Sequence, residues 1–467
     1  MVSSVAIVGG GPSGLIALDA LVREEKFDVI KLFERRSEAG GCWVYSDEKP
    51  EPLGDIKLLS KRQLKSEPVP EVLPAYVPKS RTQRFMDTAT YSYLETNVEA
   101  EAMEFSEEKF PLGGSAESIQ KYGESTPFRH HTVIKNWVQD LYKKKGYHDR
   151  IEFNTSVELI SKVDGKRKLV LRRFGPENDY VWEETFDAVV VAAGHYDVPY
   201  VPDIENLQQF INHPSRQVLH SKAFRGPQDF ENKKVVVVGA SVSAMDAVRD
   251  LLHHAQSPII SSRKSTSGPH IHFGLVAFEH PLVESRGQII KCEAETGTLH
   301  FEDGTSVSDV DAIIFGTGFS FSFPFLPELN LAHNRVHNLY QHVFKIGDPS
   351  LVFVGAITPG LTFKAYEWQA VAAAKVLAGR GKLPTTEEQQ QWEKGRIEAK
   401  GDGPGFCLIY PEFEKYFEAL RAIAGDEGPG RKLPRFDQKW FDSFERGHQM
   451  RQHHWRTTNE KYISSLE

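Results

Sequence analysis

The sequence predicts an α/β protein built from two Rossmann-like dinucleotide-binding domains. Two stretches of similar design carry this prediction: "VAIVGGGPSG" at residues 5–14 and "VVVVGASVSAMD" at residues 235–246. Each joins a run of β-branched apolar residues, typical of a buried parallel strand, to a turn of small residues and a helical apolar pattern. Three further apolar runs, within 186–199, 297–319 and 351–360, end in Gly, Ala or Thr. Strands of an α/β sheet end in this way where the sheet binds its ligands.

The composition is that of an ordinary globular protein and excludes several classes of function. With 467 residues, 40% hydrophobic and 26% charged, the chain is long enough for two or more domains with large cores. The net charge of -8, without a basic block, argues against a nucleic-acid partner. The N-terminus leads straight into a strand, no apolar run approaches the roughly 18 residues that span a bilayer, and the C-terminus is polar, so neither a signal peptide nor a membrane anchor is expected. Three isolated cysteines, Cys42, Cys292 and Cys407, fit a reducing, cytoplasmic location.

The first stretch carries the complete glycine fingerprint of a dinucleotide site. Gly9, Gly11 and Gly14 fit G-x-G-x-x-G between a strand and a helix. These glycines permit the tight turn, the approach of the backbone to a pyrophosphate, and the close packing of helix on strand, in that order. The pyrophosphate is expected at the helix N-terminus, and Glu34, which ends the next strand 25 residues after Gly9, would accept hydrogen bonds from a ribose. The alternative is a plain strand–turn–helix unit without a ligand.

The second stretch keeps one of the three fingerprint glycines. Gly239 remains, whereas Ser241 and Ala244 hold the other two positions. The next predicted strand, in "SPIISSRK", ends at the cations Arg263 and Lys264. The corresponding strand of the first unit ends at the acidic Glu34. An arginine at this position accommodates a 2′-phosphate, so the pattern favours NADPH over NADH, with the Ser262 hydroxyl as a further donor. A solvated basic loop and an ordinary strand–turn–helix are the alternative interpretations.

The rest of the chain shows no acid–base dyad, nucleophile triad or metal motif. Residues 44–90 are predicted to be a long excursion, largely loop and surface, and the tail from about 385 to be helices folded over the core with no assigned chemistry. The histidine pairs at 130–131, 253–254 and 270/272 are interpreted as surface or satisfied histidines, because no carboxylate or cysteine spacing supports a metal site beside them.

Taken together, these segments resemble the flavin-containing monooxygenases, the class B single-component flavoproteins. The resemblance runs collinearly from Val5 to about Gly381 through "GGGPSG", "FERR…GGCW", "ETNVEAEAMEF", "AAGHYDVP", "LHSKAF", "VVVVGASVSAMD", "ISSRK", "FEDGT…IIFGTGFSFSFPFL" and "LVFVGAITPG…YEWQA". It implies FAD in the first site and NADPH in the second. The FAD domain would comprise residues 1–199 and 321–467, with an NADPH domain inserted at 200–320, in a chain similar to soluble fungal or bacterial members.

The resemblance also implies roles for individual residues. On the FAD side it implies Gly9, Gly11, Pro12, Ser13 and Gly14 at the pyrophosphate, Glu34 and Arg35 at the adenosine end, Gly41, Cys42 and Trp43 near the flavin, and Gln369. On the NADPH side it implies Gly239, Ser241, Ser243 and Ala244 at the pyrophosphate, Ser262 and Arg263 at the 2′-phosphate, and Thr317 near the cofactors. Asn97, between Thr96 and Val98, matches the family's active-site asparagine, which would orient flavin and nicotinamide by hydrogen bonds and not by proton transfer.

The implied reaction is an NADPH- and O2-dependent N- or S-oxygenation of a small amine, thiol or thioether, of the N,N-dimethylaniline monooxygenase type. NADPH would deliver hydride to FAD, and the reduced flavin would react with O2 to form a C4a-hydroperoxide whose distal oxygen the nucleophile attacks. The protein would supply binding, orientation and exclusion of water, while the cofactor carries the chemistry. A homodimer is the oligomeric state that the family suggests.

One segment departs from the family signature and keeps alternatives open. In "PSRQVLHSKAF", Pro214 and Arg216 stand where the signature has Phe and Gly, while His220 and Phe224 remain. Baeyer–Villiger enzymes more often carry Trp at the position of Phe224, so a Baeyer–Villiger or N-hydroxylating enzyme is an alternative. A flavin disulfide oxidoreductase shares both fingerprints but needs a cysteine pair, and Cys42 has no partner nearby in sequence. A non-catalytic nucleotide sensor on the same fold is a further alternative. The two intact cofactor sites disfavour it, because a sensor would not need both.

Overall fold

A computed structural model of the chain describes residues 2–48, 51–64, 67–358 and 360–467 and confirms the predicted fold class. The strands of these residues are β1 Ser4–Val8, β2 Val29–Phe33, β3 Ala75–Pro78, β4 Ile151–Glu152, β5 Thr155–Val163, β6 Lys166–Arg173, β7 Asn178–Phe186, β8 Ala188–Val191, β9 Val198–Pro199, β10 Gln217–His220, β11 Val235–Val238, β12 Ile259–Ser262, β13 Val283–Arg286, β14 Ile289–Glu293, β15 Thr298–Phe301, β16 Ser306–Val307, β17 Ala312–Phe315, β18 Phe319–Ser320, β19 Leu339–Tyr340, β20 Phe344–Lys345 and β21 Leu351–Phe353. The helices are α1 Pro12–Arg23, α2 Ile56–Ser60, α3 Ala100–Met103, α4 Ala116–Tyr122, α5 His131–Lys143, α6 Leu207–Asn212, α7 Val242–Leu251, α8 Thr362–Leu377, α9 Thr386–Lys400, α10 Pro404–Cys407, α11 Phe413–Ala424 and α12 Gln438–Ser464.

The first domain is organised around a seven-stranded sheet with the order β19-β20-β21-β8-β1-β2-β4. Strands β21, β8, β1, β2 and β4 run parallel, and β19 and β20 add an antiparallel edge. Val5, Ala6 and Ile7 at its centre are fully buried, because helices α1, α5 and α8 cover one face and the antiparallel sheet β3-β7-β6-β5 covers the other. Burial on both faces is what makes central parallel strands uniformly apolar.

The second domain is organised around a five-stranded, fully parallel sheet with the order β10-β17-β11-β12-β13. Its strands all lie between residues 217 and 315. The chain enters through β9 and returns through β18, and these two short strands pair antiparallel, Pro199 opposite Phe319. The two crossings therefore run side by side, next to the positions where the domain boundaries are predicted.

The excursion at 44–90 is largely without regular structure, as predicted, apart from α2 and β3; its residues 49–50 and 65–66 lie outside the described ranges. Its last part returns to the first domain. The hydroxyl of Thr88 donates to the Val44 carbonyl (2.7 Å) and that of Thr90 to the Cys42 carbonyl (2.6 Å). Arg35 donates to backbone carbonyls of this segment as well. The excursion thus holds the 41–44 turn in place.

The C-terminal tail is helical, as predicted, and its last helix spans both domains. Along α12, Phe444 packs in the core of the first domain and Trp455 in that of the second. Within the described ranges, no helix is both long enough and apolar enough to cross a lipid bilayer.

A buried charge cluster fastens the tail to the first domain. Arg431, which is fully buried, ion-pairs with Asp19 of α1 (2.7 Å), Glu367 of α8 (2.5 Å) and Glu108 (2.8 Å). Lys145 adds a second cation on Asp19 and Glu108. Two of the carboxylates are themselves fully buried, so the guanidinium is the group that makes their burial tolerable.

We expect Arg431→Met to destabilise the holoenzyme by about 3–5 kcal/mol, because it leaves buried carboxylates without their main counter-ion. The measurement is the midpoint of thermal unfolding, with bound FAD checked by absorbance. Lys432→Met is the matched control, because Lys432 is exposed and contacts backbone carbonyls only. Equal midpoints for the two variants would show that the cluster is not structurally important.

Candidate active site

The first glycine turn is shaped by contacts that leave no room for a side chain. Gly9 has φ +104°, and a Cβ there would lie 2.6 Å from the Ala192 carbonyl oxygen; a Cβ on Gly14 would lie 1.8 Å from the Gly9 oxygen. Helix α1 therefore starts tightly against the ends of β1 and β8. Its N-cap, Gly11, provides no side-chain hydrogen bond, so the first N–H groups of the helix are available to an anion.

The second turn repeats this geometry, except that the alanine methyl group lies on the helix and not on the strand. Gly239 has φ +138°, and a Cβ there would lie 2.3 Å from the Gly316 oxygen. Gly316 follows β17 as Ala192 follows β8, and each donates its N–H to the carbonyl of the last residue of the central strand, Val238 and Val8 respectively. The first unit has Ala on the strand and Gly14 on the helix, whereas the second has Gly316 on the strand and Ala244 on the helix. Gly316 thus provides the space that Ala244 requires, and the missing third glycine does not prevent close packing.

Two large cavities open at these turns. The first, about 570 Å³, is lined by predicted FAD-side residues: Gly9, Gly11, Pro12, Ser13, Glu34, Arg35, Gly41, Cys42, Trp43, Asn97 and Val98. The second, about 1090 Å³, is lined by predicted NADPH-side residues: Gly239, Ser241, Ser243, Ser262, Arg263 and Thr317, together with Thr96. Both cavities are lined by Cys42, Trp43, Asn97, His195 and Tyr196. The two cavities therefore meet at the segment where the sequence predicts flavin and nicotinamide.

At the far end of the first cavity, Glu34 is held by the backbone. It is 4% exposed, and its two carboxylate oxygens accept from the N–H of Gly10 (2.6 Å) and of Arg36 (2.8 Å). Each oxygen keeps a further lone pair for a ligand hydroxyl. Arg35, which also lines this cavity, ion-pairs with Asp197 (2.9 Å). Burial raises the pKa of the Asp197 carboxyl, but Arg35 and Arg36 lower it by more, so that Asp197 is ionised.

The loop carrying Asn97 is fixed on both sides. The Thr96 hydroxyl accepts from the N–H of Arg129 (3.1 Å), and Glu99 accepts from Ser443 (2.6 Å) and Arg446 (2.6 Å) of α12. Asn97 is half-buried, and its side-chain amide has no hydrogen-bond partner among the described residues. A polar side chain positioned this firmly with free donors and an acceptor is suited to orient a ligand.

The second cavity ends in a guanidinium with spare donor capacity. Arg263 packs against the Phe278 ring and reaches the Ser285 hydroxyl at 3.4 Å, while its buried Nη1 has no partner among the described residues. Ser262 does not fit the predicted donor role, because it is fully buried and its hydroxyl already donates to the Gly287 carbonyl (2.8 Å). Of the two predicted residues, Arg263 therefore has donors left for a 2′-phosphate, and Lys264 lines the cavity beside it.

Three predicted contact residues do not line either cavity. Gly14 and Ala244 lie in the helix–strand contacts described above. Gln369 is fully buried in α8, where it accepts from the N–H of Gly355 (2.8 Å) and donates to the Tyr416 hydroxyl (2.7 Å). It holds Gly355 against the first glycine turn, and its predicted direct contact with a cofactor stays a prediction.

Several lining residues were missed by the sequence analysis. The N-terminus of α8 lies at the first cavity, with Leu361 as an N-cap that forms no side-chain hydrogen bond. His195 and Tyr196 lie in the loop after β8, and burial lowers the pKa of His195 to about 4, so its ring is neutral. Phe444 comes from the tail, to which no chemistry was assigned. The small-residue ends of β8 and β21 were the signals that could have indicated the first two.

The segment that departs from the family signature is structural around its changed positions. The Arg216 guanidinium donates to the backbone carbonyls of Ala294, Glu295 and Val310, which ties β10 to its neighbours. His220 is buried, contacts the Gly318 carbonyl (2.9 Å), and has its pKa lowered to about 3 by burial. Phe224 lies in the wall of the second cavity, whereas the structure explains no particular role for Pro214.

The histidine pairs have different surroundings. His130 and His131 both direct ring nitrogens to the same backbone carbonyl, and His254 pairs with Glu231, as expected of satisfied or surface histidines. His131 and His272 each also have a buried Nδ1 without a hydrogen-bond partner among the described residues.

All three cysteines are free, and burial raises the pKa of Cys42 to about 11. Cys42 is therefore a neutral thiol with no disulfide partner, which argues against disulfide-exchange chemistry at this site.

Two family models match the chain. A flavin-binding monooxygenase-like model matches residues 87–268 and 281–423, and a FAD-NAD(P)-binding model matches residues 6–57. These matches confirm the predicted cofactors, FAD and NADPH, and the geometry of the two turns fits them.

Relatives and solved structures of the same kind cover nearly the whole chain. A flavin-containing monooxygenase of Aspergillus flavus, ustF2, is 27% identical over 94% of this chain and 96% of its own. The flavin-containing monooxygenase FMO GS-OX-like 2 of Arabidopsis thaliana is 31% identical over 88% of this chain and 82% of its own. The structure of S-allyl-L-cysteine S-oxygenase from Allium sativum, 24% identical, shares the fold with a TM-score of 0.74 over 99% of this chain and 98% of that one.

The methyl exchange between strand and helix can be tested directly. A Cβ on Gly316 would lie 2.7 Å from the backbone of Ala244, so Gly316→Ala forces α7 away from β17. We expect a cost of about 1–3 kcal/mol, seen as a roughly 5- to 100-fold loss of NADPH affinity with FAD content unchanged.

Adding Ala244→Gly to this variant is expected to recover part of the loss, because the pair then has the composition of the first unit. Affinity is measured by titration of the flavin-loaded protein with NADP+. Full affinity in Gly316→Ala alone would contradict the packing argument.

Proposed function

We propose that this chain, which belongs to the flavin-containing monooxygenase family, uses NADPH and O2 to oxygenate a soft nucleophile, most directly the sulfur of a small thioether or thiol. The observation that carries the proposal is the meeting of the two cofactor cavities at Cys42, Trp43, Asn97, His195 and Tyr196. The two cavities also share Ser241, Val242, His270 and Thr358, and a nicotinamide in one cavity and a flavin in the other would face each other along this shared lining.

The residues of the chain bind and orient, and the cofactors supply the reactive groups. The free N–H groups at the start of α1 and α7 bind the two pyrophosphates, and Glu34 binds a ribose. When bound, the flavin supplies hydride acceptance and oxygen activation. Asn97 orients both rings through its unpaired amide, and the neutral His195 and Tyr196 close the junction against water. The oxygen-activation step implied by the resemblance stays a prediction.

The substrate class is inferred from the apolar part of the wall of the first cavity. Its aromatic and aliphatic residues include Ile271, Phe273, Phe363, Leu408 and Phe444. Three histidines whose pKa values are lowered by burial line the same cavity, His270, His272 and His448. Such a wall favours a neutral, polarizable group over an ammonium ion, because an unpaired charge is costly in an apolar site. Sulfur nucleophiles are neutral near pH 7, and one structural neighbour is an S-oxygenase. N-oxygenation of an amine, by the same mechanism, is the second candidate reaction.

Baeyer–Villiger and N-hydroxylating reactions stay alternatives. The comparison of thioether, amine and ketone substrates described below distinguishes them from sulfur oxygenation. Phe224 lies in the wall of the second cavity with its ring stacked on Phe230 (5.9 Å) and edge-on to Tyr91 (6.2 Å). It is part of a packed aromatic group and exposes little of its surface, which gives a ketone substrate no polar contact at this position.

We expect NADPH to reduce the bound flavin faster than NADH, and Arg263→Ala to remove this preference. A charge-assisted pair with the 2′-phosphate is worth about 1.5–3 kcal/mol, so the KM for NADPH should rise roughly 10- to 100-fold. Flavin bleaching is followed by anaerobic stopped flow. The NADH reaction of the same variant is the internal control and should be unaffected; an unchanged NADPH preference would remove Arg263 from the 2′-phosphate site.

We expect the yellow protein to convert small thioethers to sulfoxides, with NADPH consumption matched to product and little peroxide released. Asn97→Ala should lower product formation by about 100-fold with FAD still bound, because loss of orientation alone has effects of this size. Asn212→Ala, an exposed position on α6, is the matched control. Product from amines or ketones but not from thioethers would refute the sulfur assignment, and a colourless protein would refute the proposed function as a whole.

A further inference from the structure

Residues 84–90, the last part of the excursion, contact both domains, and we call them the bridging segment. On the side of the first domain, Arg35 and Arg36 donate to four of its backbone carbonyls. Two of its threonine hydroxyls donate in turn to carbonyls of the 41–44 turn. The position of this turn, which contributes to both cavities, therefore depends on the bridging segment.

On the side of the second domain, the bridging segment is held by one apolar and two polar contacts. The Phe85 side chain is 6% exposed and packs in the hydrophobic core of the second domain. The ammonium of Lys222, just after β10, ion-pairs with Asp87 (3.0 Å), and Arg225 donates to the Thr88 carbonyl (3.0 Å). The same short segment is therefore fixed to both domains.

Lys222 also joins the second domain directly to the first. It is 2% exposed, and its ammonium donates to the backbone carbonyl of Asp197 (2.7 Å), in the loop after β8. Burial lowers the pKa of Lys222, and the nearby carboxylates of Asp197 and Asp87 partly offset this. A buried ammonium without such partners would be costly, so these groups determine where it lies. Because an ammonium has three donors, one side chain can hold several acceptors of both domains at once.

The groups that Lys222 holds lie next to residues that line both cavities. Asp197 directly follows His195 and Tyr196, and the bridging segment holds the 41–44 turn. Lys222 itself lines neither of these cavities, so it would act on the cofactors only through the segments that it holds. A displacement of about 1 Å between reacting groups can lower a rate about 100-fold.

We propose that Lys222 is a positioning residue for hydride transfer from NADPH to the flavin, an inference that rests on the proposed function. By binding Asp87 and the Asp197 carbonyl, Lys222 holds the second domain, and with it the nicotinamide, at the distance from the flavin that the transfer requires. Arg263 and the second glycine turn bind NADPH within the second domain, whereas Lys222 fixes that domain to the first. Loss of Lys222 should therefore slow the transfer and leave NADPH binding nearly unchanged.

The test uses Lys222→Met in the FAD-loaded full chain, because methionine fills much of the same space without donors. We expect the rate of flavin reduction at saturating NADPH to fall about 10- to 100-fold, measured by anaerobic stopped flow. The Kd for NADP+, measured by titration, should change by less than about 3-fold. Lys233→Met is the matched control and should not change the rate. Lys233 also lies beside an aromatic ring, that of Phe230, but donates to Gln217 of its own domain (2.8 Å).

A second variant and a measurement without NADPH guard against a simple loss of folding. Asp87→Asn keeps the volume of the side chain but removes its charge, and it should also slow reduction, by about 3-fold or more. Hydrogen exchange of the amides of residues 84–90, measured before NADPH is added, should be faster in both variants and unchanged in Lys233→Met.

Reduction at the unmodified rate in Asp87→Asn and in folded Lys222→Met would overturn the inference and leave the proposed function intact. Losses of FAD content and NADP+ affinity in proportion to the lost rate would also overturn it, because they would show a general structural role. An unmodified chain that NADPH does not reduce would refute the proposed function and, with it, this inference.

Discussion

The close contact between each glycine turn and the end of the neighbouring parallel strand is the constraint on which both cofactor cavities depend. In each domain, a glycine with positive φ passes over a carbonyl oxygen so closely that a Cβ would lie 2.6 Å from it at Gly9 and 2.3 Å at Gly239. This contact sets where the following helix begins and directs its unpaired N–H groups into the cavity. The anion site is therefore a consequence of backbone packing, and side chains only refine it.

The meeting of the two cavities depends on how one domain is inserted into the other. Because β9 and β18 pair with each other, the two crossings of the chain form a single narrow connection. The Asn97 loop lies at this junction and is held by Arg129 on one side and by α12 on the other. The loop of Asn97, the side chain proposed to orient the ligand, is thus supported from two distant parts of the sequence, which gives it the rigidity that positioning requires.

Local patterns predicted what local contacts determine. The fold class, the two turns, the buried strands and the helical tail could all be predicted, because short segments of sequence determine strand burial and turn conformation. Compensation between distant residues could not be predicted. Ala244 is acceptable only because Gly316, 72 residues later in the chain, has no side chain. The same applies to the hydroxyl of Ser262, whose acceptor lies on another segment, and to Gln369, which acts through Gly355. In each case the partner is set by tertiary packing, which no spacing in the sequence records.

The tail is the element whose importance was least visible in the sequence and is greatest in the structure. Arg431 anchors its start in the first domain, and α12 then pairs Arg446 with Glu99 on that side and Arg451 with Asp246 on α7 of the second domain. Interfaces between domains of one chain usually allow motion, and here one helix contacts both sides of the narrow connection. A nicotinamide and a flavin can react only at a fixed separation, so a helix that restrains the domain angle also restrains the distance between the cofactors. In the proposed function, the ion pairs of the tail would therefore help to hold the two cofactors at a fixed distance.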